Sequence, residues 1–113
     1  MEEKTVKVKI KNIAQSPLKL RLVADTVRGK SVDEALTILP MIRRKGVKTI
    51  EKAIMSGVAN AREMYGANQD DLVIDKIMIN EAPMFKRTKF RAKGRVSIIF
   101  RRRSHINLEL KVK

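Results

Sequence analysis

The chain has no cysteine, no tryptophan and one histidine, His105. Without cysteine there is no disulfide framework and no thiolate metal site. A single imidazole excludes a histidine-rich metal centre. The stretch MEEKTVKVKI at the amino terminus lacks the apolar segment of a signal peptide. The uncharged apolar runs fall far short of the ~18–20 residues that span a bilayer. The sequence therefore reads as an intracellular, soluble protein without metal, cofactor or membrane partner. Catalytic signatures are missing as well: no G-x-x-x-x-G-K-[ST] phosphate loop, no G-x-S-x-G elbow and no H-E-x-x-H. The acid nearest His105 in sequence is Glu109, and in a strand the two share a face but stand well apart. Phosphate contact or a surface role suits His105 better than catalysis. Asp70, Asp71 and Asp75 read as an exposed acidic loop rather than a ligand set, and no enzyme is expected.

Acid is also missing from one whole region. Residues 82–108 hold 9 Lys+Arg and no Asp or Glu. Residues 1–81 hold 15 Lys+Arg against 11 Asp+Glu. About two-thirds of the net charge of +14 thus falls on a quarter of the chain. A merely solubilising surface mixes both signs. One-sided concentration is the footprint of a polyanionic partner.

At 113 residues with 43% hydrophobic content, the chain is long enough for one domain with a modest core. Val6, Val8 and Ile10 alternate with Lys7, Lys9 and Lys11, which predicts a half-buried strand over Thr5–Ile13. Ser16-Pro17 opens a first helix, with Leu18, Leu22, Val23 and Val27 as its apolar side and Gly29 as its stop. Ser31-Val-Asp-Glu34 caps a second, which buries Ala35, Leu36 and Leu39 and ends at Pro40. A third runs from Ile42 to Tyr65 on a stripe of Val47, Ile50, Ile54, Val58, Ala61 and Tyr65. Gly57 within it predicts close packing against a neighbour. The methionines read as core filler. Leu72–Ile79 and Val96–Val112 read as strands, the second with its even-numbered residues on one face. The pattern of one strand, three helices and two strands is α+β.

Between the last two strands lies KRTKFRAKGR, residues 86–95, six of them cationic. Antiparallel pairing of the flanking strands makes this a β-hairpin with its turn within Arg87–Gly94. Two strands of ten residues reach roughly 30 Å. Nine cations between Lys86 and Arg103, six of them arginine, suit forked contacts to phosphate. Phe85 and Phe90 either stack on unpaired bases or pack across the strands. A basic hairpin fits the irregular cavities of folded RNA better than duplex grooves. The alternative is a DNA-binding regulator that uses Arg43, Arg44, Lys45 and Lys48 at the start of the third helix.

Three motifs carry a resemblance. They are Ser16-Pro-Leu-Lys-Leu-Arg-Leu-Val-Ala-Asp-Thr-Val-Arg-Gly-Lys30, then Val58-Ala-Asn-Ala61, then Lys86-x4-Arg91-Ala92-Lys93-Gly94-Arg95 followed by His105-Ile-Asn-Leu-Glu-Leu110. In this order they resemble the bacterial large-subunit ribosomal protein L-twenty-two family over nearly the whole chain. Leu18, Ala82, Phe90 and Ile98 depart from that family's usual residues. The resemblance implies three helices on a three-stranded antiparallel sheet with a long protruding basic hairpin. It implies one domain over 1–113, with a globular body of 1–80 and 104–113 and a hairpin of about 81–103. It implies a structural, cytoplasmic component of the large subunit, monomeric when free, that supports assembly. Its implied partners are large-subunit ribosomal RNA, neighbouring ribosomal proteins and the nascent peptide. RNA contact is expected at Lys19, Arg21, Lys86, Arg87, Lys89, Phe90, Arg91, Lys93, Arg95, Arg101, Arg102, Arg103 and His105. The hairpin tip, Phe85, Lys86, Arg87, Thr88, Lys89, Phe90, Arg91, Ala92 and Lys93, is expected to line the peptide exit tunnel.

Overall fold

The computed structural model describes the backbone of residues 4–90 and 96–113 and, apart from residue 12 and residues 83–102, their side chains. The elements run β1 (Thr5–Ile13), α1 (Pro17–Val27), α2 (Val32–Ile38), α3 (Val47–Tyr65), β2 (Leu72–Phe90) and β3 (Val96–Val112). Single 3-10 turns at Leu39–Met41 and Gln69–Asp71 join them. Three helices pack on one antiparallel sheet of order β1-β3-β2, the α+β arrangement expected from the sequence.

The helix caps follow from local chemistry. The Ser16 hydroxyl accepts from the Lys19 N–H at 3.3 Å, and Ser31 from the Glu34 N–H at 3.2 Å. Pro40 sits inside the 3-10 turn that follows α2. Helix α1 buries Val23 and Val27 as expected, but not Leu18 and Leu22. Pro17, Leu20, Val23, Ala24 and Val27 are buried, while Leu18 and Leu22 face solvent. Spacings of three and four from Pro17 select Leu20, and the alternative stripe places Leu18 and Leu22 outside it. The methionine expectation also fails. Met41, Met55, Met64 and Met78 are exposed, and the Met1 and Met84 side chains lie outside the described residues.

On α3 the apolar stripe holds, with Ile50, Ala53, Ile54 and Ala61 fully buried. The helix starts five residues later than expected. Arg43, Arg44 and Lys45 precede it in a loop, because Gly46 turns the chain at φ +100° before Val47. The core lies between the helices and Val6, Val8, Ile74, Ile77, Ile79, Ile106, Leu108 and Leu110 of the sheet.

Strand β2 is longer than its apolar part. Pairing with β3 continues from Ile79↔Ile106 through Phe85↔Arg101 to Phe90↔Val96. Pro83 is tolerated because it falls in the register shift between Ala82 and Phe85, on an edge strand. Of the turn expected within Arg87–Gly94, Arg87 to Phe90 are instead paired in the ladder, and residues 91–95, with Gly94, lie outside the described residues. Strand β1 leaves β3 at Ile13↔Ser104. Beyond that point β2 and β3 pair with each other alone among the described residues. A 19-residue strand spans about 60 Å, which accounts for the 65 × 28 × 18 Å extents.

Helix α3 lies close against the sheet at Gly57. A Cβ there would stand 2.6 Å from Leu110 Cδ1 and 3.3 Å from Val8 Cγ2. Leu110 is fully buried and has no room to withdraw. Gly57→Ala gains about 1 kcal/mol of helix propensity but overpacks the core at a cost of about 1–3 kcal/mol. The expected result is a lower urea midpoint at unchanged slope; a raised midpoint would show that Leu110 repacks freely.

Candidate nucleic-acid interface

Two sets of cations are placed by the fold. The first lies on the hairpin arms. Lys86, Arg87, Lys89 and Phe90 belong to β2, opposite Phe100, Ile99, Ser97 and Val96 of β3. Arg101 pairs with Phe85, and Arg103 with Ala82. Thr88 stands opposite Ile98. The expected sites Arg91, Ala92, Lys93 and Arg95 lie outside the described residues, as do the side chains of residues 83–102. Phe85 and Phe90 therefore keep both of their readings. His105 is half-buried on β3, across from Asn80.

The second set was not legible as a unit. Lys19 of α1 lines a small cleft together with Arg44 and Lys45 of the loop before α3. A larger neighbouring cleft is lined by Arg43, Arg44, Lys45 and Lys48, with Gln15 and Thr49 beside them. Gly46 brings the set together. A Cβ on it would stand 2.7 Å from Leu20 Cδ2, so the loop lies directly on the start of α1. The Thr49 hydroxyl donates to Gln15 Oε1 at 3.2 Å and ties α3 to the β1–α1 junction. The cations expected on a recognition helix thus belong to a loop that converges with Lys19. The sequence signal was a run of three cations between Pro40 and a glycine, which reads equally as a first helical turn.

Arg21 has a structural task. Its Nε and Nη2 donate to the Ile79 carbonyl at 3.1 and 2.9 Å. Arg28 Nη2 does the same for Ile77 at 2.9 Å, and Arg28 also pairs with Asp25. The Gly29 N–H donates to the Ile74 carbonyl, and the Ile74 N–H to that of Lys30. Helix α1 and the turn after it thereby occupy polar groups on the open edge of β2, which would otherwise invite pairing. Arg21 remains exposed, with Nη1 outside these two bonds.

The root of the hairpin is fixed from inside. Ser104 is fully buried, and its hydroxyl donates to the Gln15 carbonyl at 2.6 Å. The segment between β1 and α1 is thus bound to the residue where β3 leaves the body.

No group of three or more His, Cys, Asp or Glu suited to a metal occurs among the described residues. Asp71 caps the Asn68 N–H at 3.1 Å, and Asp70 and Asp75 are exposed. No helix among the described residues is long and apolar enough to cross a membrane.

A family model described as "Ribosomal protein L22p/L17e" matches residues 8–111. The chain belongs to this ribosomal protein family. The match includes α1, the whole β2–β3 ladder up to Lys111 and both sets of cations. A curated relative from Staphylococcus haemolyticus (strain JCSC1435), "Large ribosomal subunit protein uL22", is 43% identical over 108 residues. That alignment covers 96% of this chain and 90% of the relative.

Arg21 separates clamping from RNA contact. Arg21→Lys keeps the charge but loses the fork, so stability should fall by about 1 kcal/mol while the salt dependence of RNA binding stays unchanged. Arg21→Ala should lower both. An unchanged denaturation midpoint in both variants would remove the clamp.

Proposed function

We propose that the protein is a structural constituent of the large ribosomal subunit. It binds the subunit's RNA, supports assembly and lines the peptide exit tunnel with its hairpin tip. The observation that carries this reading is the β2–β3 ladder, which stays paired to Phe90↔Val96 while losing its third strand at Ser104. A protein that had only to fold would have no use for arms bearing nine cations and no acid. RNA phosphates supply the countercharge, and released counterions favour binding.

The body of 1–80 and 104–113 holds the arms, which extend as a protrusion over about 81–103. Lys86, Arg87, Lys89, Arg91, Lys93 and Arg95 contact RNA near the tip, with Phe90 among them. Arg101, Arg102, Arg103 and His105 hold the arm near its root. Phe85, Lys86, Arg87, Thr88, Lys89, Phe90, Arg91, Ala92 and Lys93 face the tunnel and its nascent peptide. Lys19, Arg44 and Lys45 take a phosphate beside the body, and Arg21 contributes its remaining donor. Neighbouring ribosomal proteins are further partners, the free protein is a monomer, and its place is the cytoplasm. The role is architectural, with no turnover. The DNA-regulator alternative is less well supported, because of Arg43, Arg44, Lys45 and Lys48 only Lys48 is on α3.

The test is co-sedimentation with large subunits at moderate and high salt. The intact chain should remain bound in high salt. A chain shortened through residues 85–94 should wash off at lower salt. Lys19→Gln, Arg44→Gln and Lys45→Gln together should reduce the salt slope of RNA binding by about 0.7, the value for one lost phosphate contact. Complete loss of the intact protein in high salt, with preference for a defined duplex, would overturn the reading.

A further inference from the structure

The helices cover one face of the sheet only. On the other face, β1 presents Lys7 and Lys9, with Lys11 exposed at the bulge that follows. The neighbouring strands continue these rows. Lys7 stands opposite Glu109, and Glu109 opposite Lys76. Lys9 stands opposite Asn107, and Asn107 opposite Met78. His105 pairs with Asn80, and Lys111 with Thr5 and Val73. Lys7, Lys9, Lys76, Met78 and Asn80 are exposed, so no element covers the face among the described residues.

The charge on this face is one-sided. Five lysines (Lys7, Lys9, Lys11, Lys76 and Lys111) stand against two acids: Asp75, exposed at the β2 bulge beside Lys76, and Glu109, held between Lys7 Nζ at 3.5 Å and Lys76 Nζ at 3.7 Å. The Glu109 side chain is only 20% exposed, whereas those of Lys7 and Lys76 are 70% and 63% exposed. One carboxylate thus sits beneath two ammonium groups that reach past it into solvent. It sets their position and leaves most of their hydrogen-bonding capacity unused.

We infer that this helix-free face is a further RNA-binding surface, a flat grid that takes a stretch of phosphate backbone separate from those met by the hairpin and by the Lys19 cleft. The inference rests on the ribosomal reading above and adds to it a site on the body. Alternate residues along a strand stand about 6.8 Å apart, and adjacent strands about 4.8 Å. Lys7 and Lys9 are therefore spaced close to the phosphate step of an RNA strand. Lys76, two strands away from Lys7, meets the same backbone from the other side. Asn80 and Asn107 add neutral donors and acceptors suited to ribose hydroxyls. An apolar protein partner finds only Met78 here. An acidic protein segment is the competing class, but a chain already bound to RNA through its hairpin meets RNA phosphate at high effective concentration.

The test uses the full chain and large-subunit ribosomal RNA transcribed in vitro, with affinity measured across a salt series. Lys7→Gln, Lys9→Gln and Lys76→Gln are combined in one variant. A control of equal charge combines Lys30→Gln, Lys52→Gln and Arg62→Gln, all exposed and none on a strand of the sheet. Circular dichroism melts check that both variants fold. The expected result is a salt slope reduced by about 2 for the sheet variant and by much less for the control. Glu109→Gln, which frees two lysines, should raise affinity and so move opposite to the lysine variant. Equal losses in the sheet and control variants would mean general electrostatics and overturn the site. A loss on whole subunits without one on naked RNA would assign the face to an acidic protein and also overturn it. If the unaltered chain does not bind the RNA, the ribosomal reading falls and this inference with it. If it binds and the sheet variant binds equally well, this inference alone falls.

Discussion

Strand β3 is the constraint on which the rest depends. It is the only strand of the sheet with two partners, and it carries Ile106, Leu108 and Leu110 into the core. The same strand then continues past Ser104 to form one arm of the hairpin. An isolated two-stranded ribbon is marginal in water. Here the ribbon begins as a ladder already fixed by burial, so its first pairs cost no new loop closure. The Ser104 hydroxyl on the Gln15 carbonyl and Gly57 against Leu110 hold the two ends of that buried segment. Loss of either displaces the base from which the arms project.

A central β3 leaves β2 on the edge, and the edge is a hazard over such a length. The protein manages it differently along the strand. Next to the body, Arg21, Arg28 and the Gly29–Lys30 backbone occupy outward groups of Ile79, Ile77 and Ile74. Farther out, Pro83 interrupts the ladder's regular register, and the sequence gathers cations. Like charges on an unpaired edge discourage a second copy from adding a strand. The charge that suits an RNA partner therefore also keeps the chain from pairing with itself.

What could be read from the sequence is what a short-range pattern determines. Ser16-Pro17 and Ser31 specify caps, and the stripe from Ile50 to Ala61 specifies a buried helix face. The glycine at position 57 signalled a close approach, although not its partner. Where two patterns competed, the sequence was ambiguous. Leu18, Leu20 and Leu22 offer α1 two apolar stripes, and the choice depends on where the sheet lies. Arg43-Arg44-Lys45 has the propensity to begin a helix, but Gly46 must turn with positive φ to rest on Leu20. The apolar alternation of β2 ends at Ile79, and its extension was legible only from the hairpin expected over about 81–103, because pairing there is sustained by β3. The cleft of Lys19, Arg44 and Lys45 joins residues far apart in sequence, and no local signal predicts such a meeting.

The arms and the body solve opposite electrostatic problems. Alternate cations along one arm, such as Arg87 and Lys89 or Arg101 and Arg103, stand about 7 Å apart, inside the ~8 Å Debye length at physiological salt. Their mutual repulsion opposes the pairing that holds them there. Within the body the same problem is met internally: Glu109 lies between Lys7 and Lys76 and offsets part of their repulsion. Residues 82–108 hold no such acid. Their countercharge has to come from outside the chain. On the proposed reading, phosphate contact would relieve this repulsion and strengthen the hairpin as it binds. The body has its own neutralising carboxylate in Glu109, whereas the arms as proposed would find theirs on the RNA.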